Sequence, residues 1–217
     1  MDMKLLTQVI AIALSISVIA ASTATTSFAV MNEAEVREAI KQVLKVRHPV
    51  DGQDWWLSLG PSAPQAILSL YEEDRNVYHQ IRLLGALAWF PDHLQAVALL
   101  KREAKNAPNP SVQEAAIRAL GQSQGLKEQS FISNLTEHTS PRIRIAAGEA
   151  LSDINHPEAA DEVEKFLSQE KEEWVVRKIR TYQSSRNISK TSQERTQSKS
   201  QPGKKIKKRI SKLKLTQ

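Results

Sequence analysis

The chain contains no cysteine, which excludes disulfide frameworks, thiol catalysis and cysteine-ligated metals and leaves stability to packing alone. Glycine is scarce, with seven residues in 217, and no stretch alternates apolar and polar residues over the length of a strand. Both facts argue against a turn-rich β architecture. A glycine-rich phosphate loop and a nucleophile elbow are also missing. The five histidines, His48, His79, His93, His138 and His156, lack metal-ligand spacing. These absences predict a protein that is not an enzyme and that carries no cofactor or metal.

What the chain does have is long runs of Ala, Leu, Ile, Val, Glu and Lys, the composition of helices. Its first 29 residues stand apart. Lys4 precedes an apolar run from Leu5 to Ala21, and a small-residue stretch ends at Ser27-Phe28-Ala29. This is the pattern of a signal peptide cleaved after Ala29, with Ser22 and Ala24 as a second cleavage position. The alternative is an uncleaved membrane anchor, although Thr7, Gln8, Ser15 and Ser17 interrupt a run already short for a span. The expected location is therefore exported, periplasmic or secreted.

Charge divides the rest. From Ser184 to Gln217 there are eleven Lys/Arg against one acid, Glu194, whereas the preceding residues hold 19 bases and 23 acids. The expected organisation is a signal peptide over 1–29, a helical domain over 30–183 and a disordered basic tail over 184–217. Within the tail, Ile206, Ile210 and Leu213 fall at i, i+4 and i+7, which allows a short amphipathic helix over 204–215.

Helix punctuation follows in order. Asn32 with Glu35 forms a capping box for a helix to about His48, and Val36, Ala39, Ile40, Val43 and Leu44 share its face. Trp55 and Trp56 lie in a short segment expected to cover the first repeat. Ser62 with Gln65 opens another helix. A helix from Asn76 to Phe90 is followed by a partner capped at Asp92, whose buried stripe is expected to hold Leu94, Val97, Leu99, Leu100 and Ala104. Asn109-Pro110 and Ser140-Pro141 repeat one signal, an N-cap and then proline at the first helical position, with the prolines 31 residues apart. Behind them Val112 matches Ile143, Ala115-Ala116 matches Ala146-Ala147, and Ala119-Leu120 matches Ala150-Leu151. Two helices per period of about thirty residues predict an all-α solenoid of stacked antiparallel helix pairs. The paired alanines allow neighbouring helices to approach closely. A last helix near Glu172, with Trp174 expected in the core, reads as the terminal cap.

Residues 141–167 resemble a HEAT-like repeat of the short, phycobilisome-lyase-like type. They carry proline, then Ile143-Arg144, paired alanines, Ala-Leu, a tight turn and Pro157-Glu158-Ala159 opening the second helix. Residues 110–138 and 76–106 match more loosely. The resemblance implies a binding scaffold whose second helices line the concave face. There the bases Lys101, Arg102 and Lys105 lie on one strip and the acids Glu158, Asp161, Glu162 and Glu164 on another. Such a graded face would orient a protein partner with the opposite charges, while a plainly solvated helix face is the alternative.

The tail residues Lys204, Lys205, Lys207, Lys208, Arg209, Lys212 and Lys214 are candidates for contact with an anionic membrane or envelope polymer. A bare solvated terminus is the alternative, and nucleic acid is a further one, disfavoured by the lack of interleaved aromatics. The reading reached is an exported scaffold that binds a protein partner. Its alternatives are a small-ligand or lyase-like helper using the groove, and a nucleic-acid binder using the tail.

Overall fold

The computed structural model describes residues 31–46 and 52–199, which are helical throughout apart from turns. In order these are α1 (Glu33–Leu44), α2 (Gln53–Ser58), α3 (Ala63–Glu73), α4 (Val77–Leu87), α5 (Leu94–Asn106), α6 (Pro110–Gln124), α7 (Gln129–Asn134), α8 (Pro141–Asp153), α9 (Pro157–Gln169) and α10 (Glu173–Lys199). Single 3₁₀ turns, Gly125–Glu128 and Leu135–Glu137, flank α7.

Most starts are capped as the residue types require. Glu35 donates its N–H to Asn32 Oδ1 at 3.0 Å and its carboxylate accepts from Asn32 N–H at 2.9 Å, the expected capping box. Asn76 and Asn109 accept from their first turns, and Pro110, Pro141 and Pro157 occupy first positions where no N–H is needed. Ser140 makes no such side-chain bond. Before α5 the cap is His93 rather than Asp92, its ring Nδ1 accepting from Ala96 N–H at 3.3 Å. Gly125, at φ +52°, takes the left-handed turn that ends α6.

The helices form two rows. In the second-helix row α1, α3, α5, α7 and α9 lie side by side; in the first-helix row α4, α6, α8 and α10 do the same, with short α2 ahead of α3 in the chain. Pairs α4/α5, α6/α7 and α8/α9 are the three units expected from the sequence. The result is an all-α solenoid of antiparallel helix pairs. Ties between neighbouring units recur near the repeat length: Ser133 to Glu162 at 29 residues, Arg102 to Glu72 at 30, Arg118 to Glu149 at 31 and Arg37 to Ser69 at 32.

These ties set register more than they set stability. An exposed ion pair contributes about 0–1 kcal/mol, whereas burying one large aliphatic side chain contributes about 1.5–3 kcal/mol. Leu83, Leu84, Leu87, Leu100, Ile117, Leu120, Ile132, Ile143, Leu151 and Ile179 are fully buried along the stack. The paired alanines do what their size allows: Ala116, Ala119, Ala146, Ala147 and Ala150 are all buried.

Three expectations are corrected. Leu94 is 84% exposed, because the buried residues of α5 are Ala96, Leu99, Leu100, Glu103 and Ala104, and a residue two before Ala96 points to the opposite face. Trp174 is 46% exposed, its Nε1 donating to Glu172 at 2.6 Å, while Val175 and Ile179 take the core positions of α10. Finally, α10 continues to Lys199, so residues 184–199 are helical rather than a disordered linker. Nothing between Glu158 and Gln201 is glycine or proline. Once packing has nucleated a helix, each further residue only propagates it. Tyr182 and Arg186 also hold Asp153 of α8, carrying the packed part of α10 past residue 183.

Candidate functional site

The second-helix row presents the residues singled out from the sequence, and the structure separates them into two groups. Lys101, Arg102 and Glu162 are joined to neighbouring helices. Lys101 Nζ is 2.8 Å from Glu128 and 5.3 Å from the centre of the Phe131 ring. Arg102 donates to Glu72 of α3 and to Glu103, each at 2.8 Å, and these carboxylates, Glu72 first, raise its pKa further. Glu162 accepts from Ser133 Oγ at 2.7 Å, and that bond, then Lys165, holds its carboxyl below the usual range. Glu164 is likewise held down by Arg180, at 2.6 and 2.7 Å.

The second group has no such ties. Lys105, Glu158 and Asp161 are exposed, and among the described residues their charged ends have no ion-pair partner. The basic strip is therefore mostly neutralised within the stack. Among the described residues, the charges on this face without an ion-pair partner include Lys105 on α5, with Lys127 in the adjoining turn, and Glu158 and Asp161 on α9.

One feature of this face was not found from the sequence. Between α3 and α5 runs a groove of about 430 Å³, with Leu68, Ala98 and Leu99 in its wall and Gln65 and Gln95 at one end. Exposed Leu94 stands on the turn of α5 next to Gln95. At the other end Arg102 bonds Glu72, and behind them the Tyr71 hydroxyl is pushed up, first by burial and then by Glu103, to which it is hydrogen-bonded. Helical phase could have found Leu94, since Leu94, Ala98 and Lys105 fall at i, i+4 and i+11 on the face opposite the buried stripe.

A second cavity, of about 500 Å³, lies where the turn after α7 meets the turn between α9 and α10. Its central group is already engaged. Arg144 donates to Glu170 at 2.7 and 3.0 Å, to Glu172 at 2.8 Å and to the carbonyls of His138 and Thr139. Arg144 is thus a clasp between successive turns. Burial pushes the Glu170 carboxyl up, but Arg144 and two backbone N–H groups hold it below the usual range overall.

Among the described residues no group of three His, Asp or Glu is placed to hold a metal ion, and no helix is long and apolar enough to cross a membrane. The leader over 1–29 and the tail residues Lys204, Lys205, Lys207, Lys208, Arg209, Lys212 and Lys214 lie outside the described residues.

Residues 103–182 match the family model for HEAT repeats, which covers the end of α5, α6 to α9 and the first part of α10. The match names HEAT repeats in general, not the phycobilisome-lyase-like type. HEAT repeats commonly mediate protein interactions and typically serve as non-catalytic scaffolds. Neither a curated protein nor a solved structure matches the chain.

Proposed function

From the premise that this chain is a HEAT-like repeat protein, we propose that it is an exported scaffold that holds a protein partner on its second-helix row and uses its basic tail to adhere to an anionic membrane or envelope polymer. One observation carries the partner face. The helices of this row are tied to one another by their own charges, yet among the described residues Lys105 has no ion-pair partner at one place, nor have Glu158 and Asp161 at another. A rigid face with separated free charges of opposite sign suits a partner segment charged in the reverse order. Catalysis has no part in this reading; the guanidinium at the centre of the cavity beside Arg144 is already engaged by Glu170 and Glu172.

Affinity capture from an envelope extract tests the face. The full chain should retain a partner that Glu158→Lys/Asp161→Lys loses, with the fold unchanged by circular dichroism. Equal capture by both would remove the face from the account.

The tail's role draws on its excess of ten positive charges, worth about 1 kcal/mol per Lys or Arg beside an anionic surface. Cosedimentation with vesicles containing phosphatidylserine should be abolished by reversing Lys204, Lys205, Lys207 and Lys208. Binding to neutral vesicles alone would contradict it. Export draws on residues 1–29, and mass spectrometry of the native protein should find an N-terminus at Val30. An intact Met1 would refute cleavage.

A further inference from the structure

We propose that the groove between α3 and α5 is the anchor point on this face, and that its occupant is an acidic amphipathic helix of a protein partner, which inserts large apolar side chains beside Leu94 and sets carboxylates against Lys105 and Lys127. The inference rests on the reading of the second-helix row as the partner face and names the chemistry that face selects.

Leu94 is the most exposed large apolar side chain among the described residues, at 84%, and it stands one helical turn before Ala98, which lines the apolar-walled groove. A cavity of about 150 Å³ already accommodates a benzene-sized group, so about 430 Å³ takes more than one large side chain. The groove runs along two parallel helices, with Gln65, Leu68 and Glu72 of α3 facing Gln95, Ala98 and Arg102 of α5. A helix laid along it presents apolar residues at i and i+4 to the floor, the usual form of helix-in-groove recognition.

Charge decides which helix. Arg102 is neutralised by Glu72 and Glu103, and Lys101 by Glu128. Lys105 continues the Leu94–Ala98 stripe beyond the groove, and exposed Lys127 adjoins Glu128; among the described residues neither amine has an ion-pair partner. Carboxylates placed beyond the apolar residues meet these two lysines. The same lysines repel the chain's own tail, which carries seven Lys/Arg from Lys204 to Lys214. Among the described residues the acids of α9 share their outer face with no exposed large apolar residue, so α9 of a second copy does not match the groove.

The test uses the full chain and fluorescein-labelled helical peptides of about four turns, read by fluorescence anisotropy. One peptide carries leucines at i, i+4 and i+7 followed by glutamates; a second replaces the glutamates with lysines, and a third the leucines with alanines. The acidic leucine peptide should bind, and binding should weaken about tenfold or more in Leu94→Asp and in Lys105→Glu/Lys127→Glu. The lysine peptide should gain affinity for the latter variant. Leu94 and both lysines are exposed, so these changes leave the core intact, with circular dichroism as the check.

The proposal fails if the acidic leucine peptide binds no better than the other two, or if Leu94→Asp binds it as well as the wild type. If Glu158→Lys/Asp161→Lys alone abolishes binding, the partner face stands and the anchor falls. Should light scattering show a dimer that Leu94→Asp dissolves, a second copy is the occupant and the proposed partner is wrong.

Discussion

Gly121 of α6 meets Ala150 of α8 so closely that a Cβ on Gly121 would stand 2.9 Å from the Ala150 Cβ and 3.1 Å from its carbonyl oxygen. This contact joins two units of the first-helix row, and backbone cannot turn aside as a side chain can. Gly121→Ala should therefore cost about 1–3 kcal/mol by overpacking despite the better helix propensity of alanine. Gly148 gives the contrast. A Cβ there would stand 2.9 Å from Ile179 Cδ1 and Phe166 Cε1, both side-chain ends that can shift. Gly148→Ala should change stability by less than about 1 kcal/mol. Urea unfolding of the two variants checks the difference, and equal costs would mean that the close approach of the backbones is not what limits this packing.

Arg144→Ala should destabilise the chain by about 2–4 kcal/mol, since it leaves the Glu170 carboxylate, 3% exposed, with its principal partner gone. Arg144→Lys should recover only part of this, because a lysine cannot reach two carboxylates and two carbonyls with one planar group. Full recovery by lysine would show that charge alone matters at the clasp. Thermal unfolding of both variants at neutral pH gives the answer.

Acid should weaken the stack. In Asp74 and Glu170 burial acts upward, but Asn76 N–H and His79 for the first, and Arg144 for the second, leave the carboxyls below their ordinary values; Ser133 and Arg180 lower Glu162 and Glu164. Carboxyls lowered on folding bind protons more tightly when unfolded. Their stabilisation is complete above the ordinary range and is lost as the pH falls through it, from about 4.5 downwards. The melting temperature should hold steady from neutrality to about pH 5 and then drop, and Arg144→Ala should shallow the drop. A melting temperature unchanged down to pH 3 would exclude this linkage.

Tyr182→Phe removes a hydroxyl that donates to Asp153 at 2.8 Å and should cost about 0.5–1.5 kcal/mol. The loss should be local, with faster amide exchange in residues 180–188 and little change in α4 to α6. Uniformly faster exchange would mean that α10 unfolds only together with the whole stack.

Much of the fold was legible in the residues themselves. Pro110 and Pro141, the alanine pairs behind them and the Asn32 capping box each act through local geometry, and local geometry follows from sequence spacing. The pairing of Lys101, Arg102 and Glu162 was not legible. Their partners Glu128, Glu72 and Ser133 belong to neighbouring units, and which charges meet depends on the register of one repeat against the next. Leu94 was misplaced by counting it with the stripe of Leu99 and Leu100, although it is out of phase with them. The extent of α10 was underestimated because composition describes a segment in isolation, whereas residues 184–199 continue a helix already anchored by Val175 and Ile179.

The central claim is that partners bind the second-helix row. A photo-reactive amino acid placed at exposed Ala98 or Asp161, and for comparison at exposed Gln122 on α6 of the first-helix row, tests it most directly in the native extract. One protein should cross-link from both Ala98 and Asp161 and not from Gln122. Cross-linking from Gln122 alone, or of unrelated proteins from Ala98 and Asp161, would contradict it.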